Sequence, residues 1–163
     1  MKHDGCHYLA EIEWAGGNRG NLRFPNLPAI EVAPPPEFGG PGGGWTPEGL
    51  YVGSVASCFM MTFLSFALHS KLGIVSATVS AEGKLEKDGD GGYRFTEVIL
   101  RPVVVVERFA ETERAKRLLK KAEQSCFIGA SVKSRITVSP RIYHKQTPAC
   151  PCPTVGETAA VTV

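Results

Sequence analysis

The most apolar part of the chain lies at residues 50–68, where no side chain is charged. The residues before it have the features of a helix start. Thr46 is a good N-cap, Pro47 suits the first helical position, and the carboxylate of Glu48 favours the positive end of the helix dipole. The helix is expected to end near residues 71–73, with Gly73 as the stop signal. The pattern therefore predicts one long helix across the middle of the chain.

This uncharged run of about 19 residues is long enough to cross a bilayer, so a membrane span competes with a core helix. The flanks carry no aromatic belt and no basic cluster beyond Lys71. A helix that is apolar almost all round is typical of a protein interior, and we predict a buried core helix. At about 100° per residue, one stripe is smaller and more polar than the rest and comprises Tyr51, Ser54, Cys58, Met61, Thr62, Ser65 and His69.

The part of the chain before this helix alternates between apolar and polar positions in short runs. Residues 7–14 are predicted to form a strand, and the glycine-rich residues 16–21 a turn. Residues 22–24 and 29–32 have the character of short strands. The proline- and glycine-rich residues 33–49 cannot hold regular structure, and a loop of that length is usually functional or disordered. We interpret it as a lid over an apolar pocket.

Two long runs rich in β-branched residues flank the glycine turn at residues 88–92. Residues 74–87 and 93–107 are therefore predicted to form a β-hairpin. Residues 111–126 follow as an amphipathic helix and residues 135–144 as a last strand. The inner face of that helix comprises Ala115, Leu118, Leu119, Ala122 and Cys126.

This order of elements predicts an α+β fold, with largely antiparallel sheets packed on a long buried central helix. We predict a single domain over residues 1–144. Residues 145–163 contain little core material and are predicted to form a C-terminal tail. The sequence leaves open whether that tail is ordered.

Composition narrows the classes of function. A net charge of +2 gives no strong attraction to nucleic acid or acidic lipid, and neither partner is expected. The first residues lack the apolar run of a signal peptide, so we expect a cytoplasmic protein. The four histidines show no metal-ligand spacing, and we expect no bound metal or cofactor.

The five cysteines, at positions 6, 58, 126, 150 and 152, form a poor disulfide framework for a secreted protein. In a reducing compartment a cysteine pair is more often catalytic than structural. Cys58 lies on the polar stripe of the long helix and Cys126 on the inner face of the second helix. Free cysteine is also a common small core residue, so packing and chemistry both stay open. The tail pair Cys150 and Cys152 is either a reactive dithiol or incidental.

The segment TPEGLYVGSVASCFMMTF resembles the signature of the OsmC/Ohr family, the osmotically inducible protein C and organic hydroperoxide resistance proteins. In that family an Asn/Thr-Pro-Glu start opens a long central helix, and a cysteine follows ten residues later, as Cys58 follows Glu48. Cys126 matches the family's second cysteine. Arg19 matches an arginine in the turn after the first strand, with Arg23 as the alternative. The resemblance covers roughly residues 8–143 and leaves the tail cysteines without a role.

The resemblance implies an OsmC-like fold and a thiol-dependent peroxidase. Cys58 would attack an organic hydroperoxide, and its sulfenic acid would condense with Cys126 to a disulfide that an external dithiol, of lipoyl type or another thiol, reduces. A thiolate on an apolar helix needs a nearby cation, and the guanidinium of Arg19 would supply it, held by Glu48. One departure is Phe127, because many members have a proline directly after the second cysteine.

Glu48 and Cys58 lie about 15 Å apart along a straight helix and about 80° apart around it. Glu48 therefore cannot serve its own Cys58 on a straight helix, which favours an intertwined homodimer with composite sites, as the resemblance also implies. Two other functions stay open. One is a protein of the same fold that binds a small apolar ligand without peroxidase activity, and the other is an interaction dimer with inert cysteines. The physiological peroxide and the electron donor are not set by the sequence.

Overall fold

The computed structural model describes residues 5–89 and 91–145. The tail cysteines Cys150 and Cys152 therefore lie outside the described residues. The single-domain prediction stays a prediction.

The long helix α1 spans Pro47–His69. Thr46 caps it as predicted, because the Thr46 hydroxyl accepts a hydrogen bond from the backbone N–H of Gly49 at 3.0 Å. The predicted end near residues 71–73 is close to the observed end at His69, but Gly73 is not the stop residue. The chain leaves the helix at Lys71, which adopts a left-handed conformation with φ of 53°.

A long antiparallel hairpin forms the main sheet, as the sequence predicted. Its strands are β4 (Ile74–Lys87) and β5 (Tyr93–Val106). The predicted last strand is two short strands, β6 (Arg135–Val138) and β7 (Arg141–His144), and both pair with β5 in parallel. Pro140 separates them because proline has no N–H for a ladder. Most strand pairs are nevertheless antiparallel, as expected.

The second helix, α2, spans Thr112–Ser125, and a short helix, α3, follows at Phe127–Ser131. A turn of 3₁₀ helix at Phe109–Glu111 leads into α2. The predicted inner face of α2 is confirmed, because Ala115, Leu119 and Ala122 are buried. The sequence analysis did not predict α3.

A separate three-stranded antiparallel sheet precedes α1. Its strands are β1 (Glu11–Trp14), β2 (Gly20–Arg23) and β3 (Ile30–Val32), in that order. The turn between β1 and β2 uses Gly16 and Gly17 at φ of 100° and 55°, a region that favours glycine. We refer to β1–β3 as the N-terminal sheet and to α1–α3 with β4–β7 as the body.

The core lies between α1, α2 and strand β5. One stripe of α1 is fully buried and comprises Val55, Phe59, Phe63 and Ala67. The prediction of a buried helix holds on that side only, because Met61 and Leu68 on α1 are 59% and 78% exposed. By length and composition α1 could cross a membrane, but its buried stripe belongs to the core of the body.

Candidate functional site

Cys58 lies near the middle of α1, directly before the buried Phe59, and its side chain is partly exposed. The backbone carbonyl of Cys58 accepts a hydrogen bond from the Thr62 hydroxyl at 2.8 Å. The polar stripe of α1, which includes Cys58, therefore lies along the edge of the core.

Cys126 joins α2 to α3 and is only 4% exposed. Its sulfur accepts a hydrogen bond from the backbone N–H of Gly129 at 3.3 Å, so Cys126 caps α3. Phe127, which stands where many family members have a proline, begins α3 and is exposed. A phenylalanine at position 127, in place of the proline, is therefore compatible with Cys126 as the N-cap of α3.

The two sulfurs are neighbours in space. Burial raises the pKa of the Cys126 thiol, the Gly129 N–H opposes this rise, and a hydrogen bond and charge interaction with Cys58 raise the pKa further. Both cysteines are free thiols. The structure thus brings together two of the four predicted site residues, which come from helices more than sixty positions apart in the sequence.

A cavity of about 220 Å³ opens beside Cys126. Its apolar wall comes from α1, β5 and β6, and Glu123 and Gln124 at the end of α2 form its polar edge. The lining residues are Val55, Phe59, Leu100, Glu123, Gln124, Cys126, Gly129, Ala130 and Ile136. The site therefore joins a thiol pair to a small apolar space.

Glu48 lies in the first turn of α1. Its carboxylate oxygen Oε2 is buried and has no hydrogen-bond partner among the described residues. A buried carboxylate oxygen without a partner is costly, and such groups normally bind a donor. The donor that Glu48 needs is not supplied by the described part of its own chain.

Arg19 lies directly before β2 in the N-terminal sheet. Its guanidinium binds the Glu31 carboxylate at 2.6 Å, and both side chains are about half exposed. Arg23 forms a similar pair with Glu13 at 2.8 Å. Within the described residues, therefore, Arg19 and Glu48 are each placed apart from the cysteine pair rather than joined to it.

Two contacts, one of Arg19 and one of the polar stripe of α1, could not be predicted from the sequence. Glu31 reaches Arg19 because the register of β2 with β3 pairs Asn21 with Glu31, and register is a tertiary property. The Tyr51 hydroxyl shares a hydrogen bond of 2.7 Å with the Ser134 hydroxyl. The polar stripe signalled Tyr51, but nothing local signalled Ser134, which lies 83 positions away.

Among the described residues, no group of three or more His, Cys, Asp or Glu side chains could hold a metal ion. The chemistry of the site, as far as the described residues show it, is that of two adjoining thiols.

Comparison with known proteins extends this picture. The chain is 27% identical over 135 residues to the uncharacterized protein YmaD of Bacillus subtilis strain 168, covering 80% of this chain and 89% of that protein. An OsmC-like protein of unknown function from Vibrio cholerae has a similar structure, with a TM-score of 0.77, 23% identity and coverage of 84% of this chain and 100% of that one.

A similar fold is found in an organic hydroperoxide resistance protein OsmC from Legionella pneumophila, with a TM-score of 0.67 and 22% identity, covering 85% of this chain and 99% of that one. The sequence profile of the family described as OsmC-like protein matches residues 40–141, which include α1, the hairpin and both site cysteines. The resemblance drawn from the sequence is confirmed, and the chain belongs to the OsmC-like protein family.

Proposed function

We propose that this protein is a cysteine-based peroxidase that reduces organic hydroperoxides to alcohols. The observation that carries the proposal is the placement of the Cys58 and Cys126 thiols together at one hydrophobic core, beside an apolar cavity. Membership of the OsmC-like family and the similar fold of a hydroperoxide resistance protein support a redox role at peroxides.

The reaction has three balanced steps. The Cys58 thiolate attacks the terminal peroxide oxygen, the O–O bond breaks, and a proton from the site completes the leaving alcohol. The Cys58 sulfenic acid then condenses with the Cys126 thiol, forming the disulfide and releasing water. A dithiol finally reduces the disulfide and becomes a disulfide itself. The sum consumes one hydroperoxide and one dithiol and yields one alcohol, one water and one oxidised dithiol.

The environments of the two thiols support this division of roles. Cys58 is partly exposed, whereas Cys126 is only 4% exposed. Burial raises the pKa of Cys126, which lowers the fraction of this thiol that is present as the nucleophilic thiolate. Cys58 is therefore the peroxide-attacking cysteine and Cys126 the one that forms the disulfide with it.

A second copy of the chain would complete the site. The unpartnered Glu48 oxygen needs a donor, and the guanidinium of Arg19 from a second copy would provide a bidentate one. Arg19 would exchange its exposed pair with Glu31 for a position beside the thiolate of Cys58. The exposed apolar side chains of the N-terminal sheet and of α1 would be covered in the same intertwined homodimer.

The apolar surroundings of Cys58, which packs against the hydrophobic core, favour organic hydroperoxides over hydrogen peroxide, because an apolar site gains from burying a carbon chain. The loop before α1 would close over the substrate. The proposal keeps the other expectations drawn from the sequence. The protein would be cytoplasmic, with no bound cofactor or metal and no nucleic-acid or membrane partner. Its reductant would be an external thiol of lipoyl or other type.

Two substitutions test the proposal. Cys58→Ser should abolish consumption of cumene hydroperoxide, because the nucleophile is lost. Cys126→Ser should still consume about one equivalent and then stop at a Cys58 sulfenic acid that dimedone labels. Cys6→Ser is the matched control, since Cys6 is an exposed free cysteine outside the site, and it should behave as wild type.

Mass spectrometry of the peroxide-treated protein should show the Cys58–Cys126 disulfide. If peroxide consumption is the same in wild type and Cys58→Ser, the peroxidase proposal is wrong. A wild-type protein that forms no disulfide but binds the hydroperoxide unchanged would instead be an apolar-ligand binder. A protein that does neither would be an interaction dimer.

A further inference from the structure

We infer that the cavity beside Cys126 is the access route of the reducing thiol, which attacks the Cys126 sulfur of the Cys58–Cys126 disulfide. The inference rests on the proposed function for its biological meaning, because the disulfide is the proposed product of the peroxide step. The reductant would use this cavity, whereas the peroxide would reach Cys58 by a route outside it.

The lining of the cavity gives the direction of approach. Cys126 is among its lining residues and Cys58 is not. A molecule that enters past the exposed side chains of Glu123 and Gln124 therefore contacts Cys126 first. The access of a thiol to one sulfur or the other decides which one it attacks.

The chemistry then follows from the identity of the attacked sulfur. A reductant thiolate bonds to the Cys126 sulfur, the Cys58–Cys126 bond breaks, and Cys58 leaves as a thiolate. The second thiol of the reductant attacks the reductant's own sulfur, closes its disulfide and expels the Cys126 thiolate, which takes up the proton that the second thiol loses. The Gly129 N–H, 3.3 Å from the Cys126 sulfur, stabilises this second leaving group.

This order restores the nucleophile in its reactive form. Cys58 is released as the thiolate that the next peroxide requires. Cys126 is released later, and burial raises the pKa of its thiol, so it regains a proton readily. Attack on the Cys58 sulfur would instead expel Cys126, whose pKa burial raises, and a raised leaving-group pKa slows the exchange.

The volume of the cavity limits the reductant. About 220 Å³ holds roughly seven water volumes of about 30 Å³ each, which is enough for a short aliphatic chain and too little for a folded domain. The part of the reductant that enters is therefore a short aliphatic thiol, and its second thiol follows from the external dithiol that the family resemblance implies.

Filling the cavity tests the route. Ala130 lines the cavity on α3, and Ala130→Phe should block it. The neighbouring Ser131 is exposed and does not line the cavity, so Ser131→Phe places the same side chain on the same helix as a matched control. Thermal unfolding of both variants confirms that each is folded before any rate is compared.

The disulfide is first formed with diamide, so that reduction is measured without any peroxide step. Reduction by dithiothreitol should be slowed about tenfold in Ala130→Phe and be unchanged in Ser131→Phe. In a separate single-turnover reaction, oxidation by cumene hydroperoxide should proceed at the wild-type rate in both. If Ala130→Phe instead slows oxidation and spares reduction, the cavity is the peroxide route and the inference is wrong.

A monothiol locates the attacked sulfur. The diamide-formed disulfide is treated with 2-mercaptoethanol and the released cysteine is trapped at once with N-ethylmaleimide. Peptide mass spectrometry should find mercaptoethanol on Cys126 and maleimide on Cys58. The reverse distribution overturns the inference. If wild-type protein fails only in the peroxide step, the proposed function is wrong while the route to Cys126 is still decided.

Discussion

The body and the N-terminal sheet of this protein treat their apolar side chains in opposite ways. In the body, Phe59 and Leu100 are 1% exposed. In the N-terminal sheet, Ile12 and Trp14 are 63% and 77% exposed. Small sheets need a covered apolar face for independent stability. The contrast indicates that the body is held by its own core, whereas the apolar face of the sheet is not covered by the part of the chain that the structure describes.

A buried carboxylate gives a second contrast, although the body also has exposed ion pairs such as Arg101 with Glu82. In the body, the Glu111 carboxylate is 6% exposed and binds the Arg108 guanidinium at 3.1 Å. In the N-terminal sheet, the pairs formed by Arg19 and Arg23 lie in solvent, with every side chain between 45% and 61% exposed. Exposed pairs contribute little to stability, so Arg19 can leave Glu31 for a stronger partner at small cost.

The largest expected effect separates the two regions by stability. Phe59→Ala should lower the free energy of unfolding by about 3–5 kcal/mol, because it leaves a cavity in the core. Trp14→Ala should act mainly through the proposed dimer, because its side chain is 77% exposed in the single chain and its hydrogen bond there, to the Gly17 carbonyl at 3.0 Å, is exposed. Thermal unfolding at two protein concentrations measures both effects.

The concentration dependence is decisive in this experiment. The loss in Phe59→Ala should persist at every concentration, whereas the loss in Trp14→Ala should shrink as concentration rises and mass action restores the dimer. A Trp14→Ala loss that is independent of concentration would mean that the sheet packs on its own chain.

The same two regions show how far the sequence could predict the structure. Local signals found α1, the hairpin and the inner face of α2, because capping residues, β-branched runs and helical periodicity act within a few positions. They missed α3 and the division of the last strand. They also placed Gly73 at the helix stop where Lys71 takes the left-handed conformation, because tertiary packing overrides local preference.

The same distinction between local signals and tertiary packing applies to the residues of the candidate site. The proximity of Cys58 and Cys126 could be inferred, because both lie on faces that must meet in one core. The partner that Arg19 has in the single chain could not, because Glu31 is brought to it by strand register. The resemblance implies Arg19 as the donor for Glu48, and this stays a prediction, since Glu48 has no hydrogen-bond partner at Oε2 among the described residues.

A second prediction tests the catalytic part of the contrast. Arg19→Ala should slow the single-turnover oxidation of Cys58 by cumene hydroperoxide about 100-fold, the usual cost of losing one preorganised donor to a developing charge. Arg101→Ala is the control from the body, since Arg101 has a comparable exposed pair with Glu82 at 2.7 Å. It should change the rate by less than about twofold.

Arg23→Ala distinguishes the two arginines of the N-terminal sheet. A larger loss in Arg23→Ala than in Arg19→Ala would identify Arg23 as the site arginine. Wild-type rates in both variants would refute a contribution of the sheet to catalysis.

A smaller effect concerns pH. The hydrogen bond from Arg108, followed by that from the Gly73 N–H, lowers the pKa of Glu111 below its ordinary value. A carboxyl with a lowered pKa in the folded state contributes stability above its unfolded pKa of about 4.3. That contribution is lost as the pH falls through the lower folded pKa.

Glu111→Gln should therefore reduce the stability at pH 7 and flatten its decline below about pH 4.3. Glu13→Gln, which removes a carboxylate from an exposed pair in the N-terminal sheet, should leave that decline nearly unchanged. Urea midpoints from pH 7 downward measure both. An equal flattening in the two variants would contradict the distinction between buried and exposed pairs.

The smallest expected effect lies at the two described non-glycine residues with positive φ, one in each region. Lys71 in the body has φ of 53° and Asn26 in the N-terminal sheet has φ of 63°. Lysine is strained in the left-handed region, where asparagine is better tolerated and glycine is unstrained. Lys71→Gly should therefore raise the free energy of unfolding by up to about 1 kcal/mol, and Asn26→Gly by less. Urea unfolding at one protein concentration compares them, and a larger gain in Asn26→Gly would show that side-chain contacts of Lys71 outweigh its backbone strain.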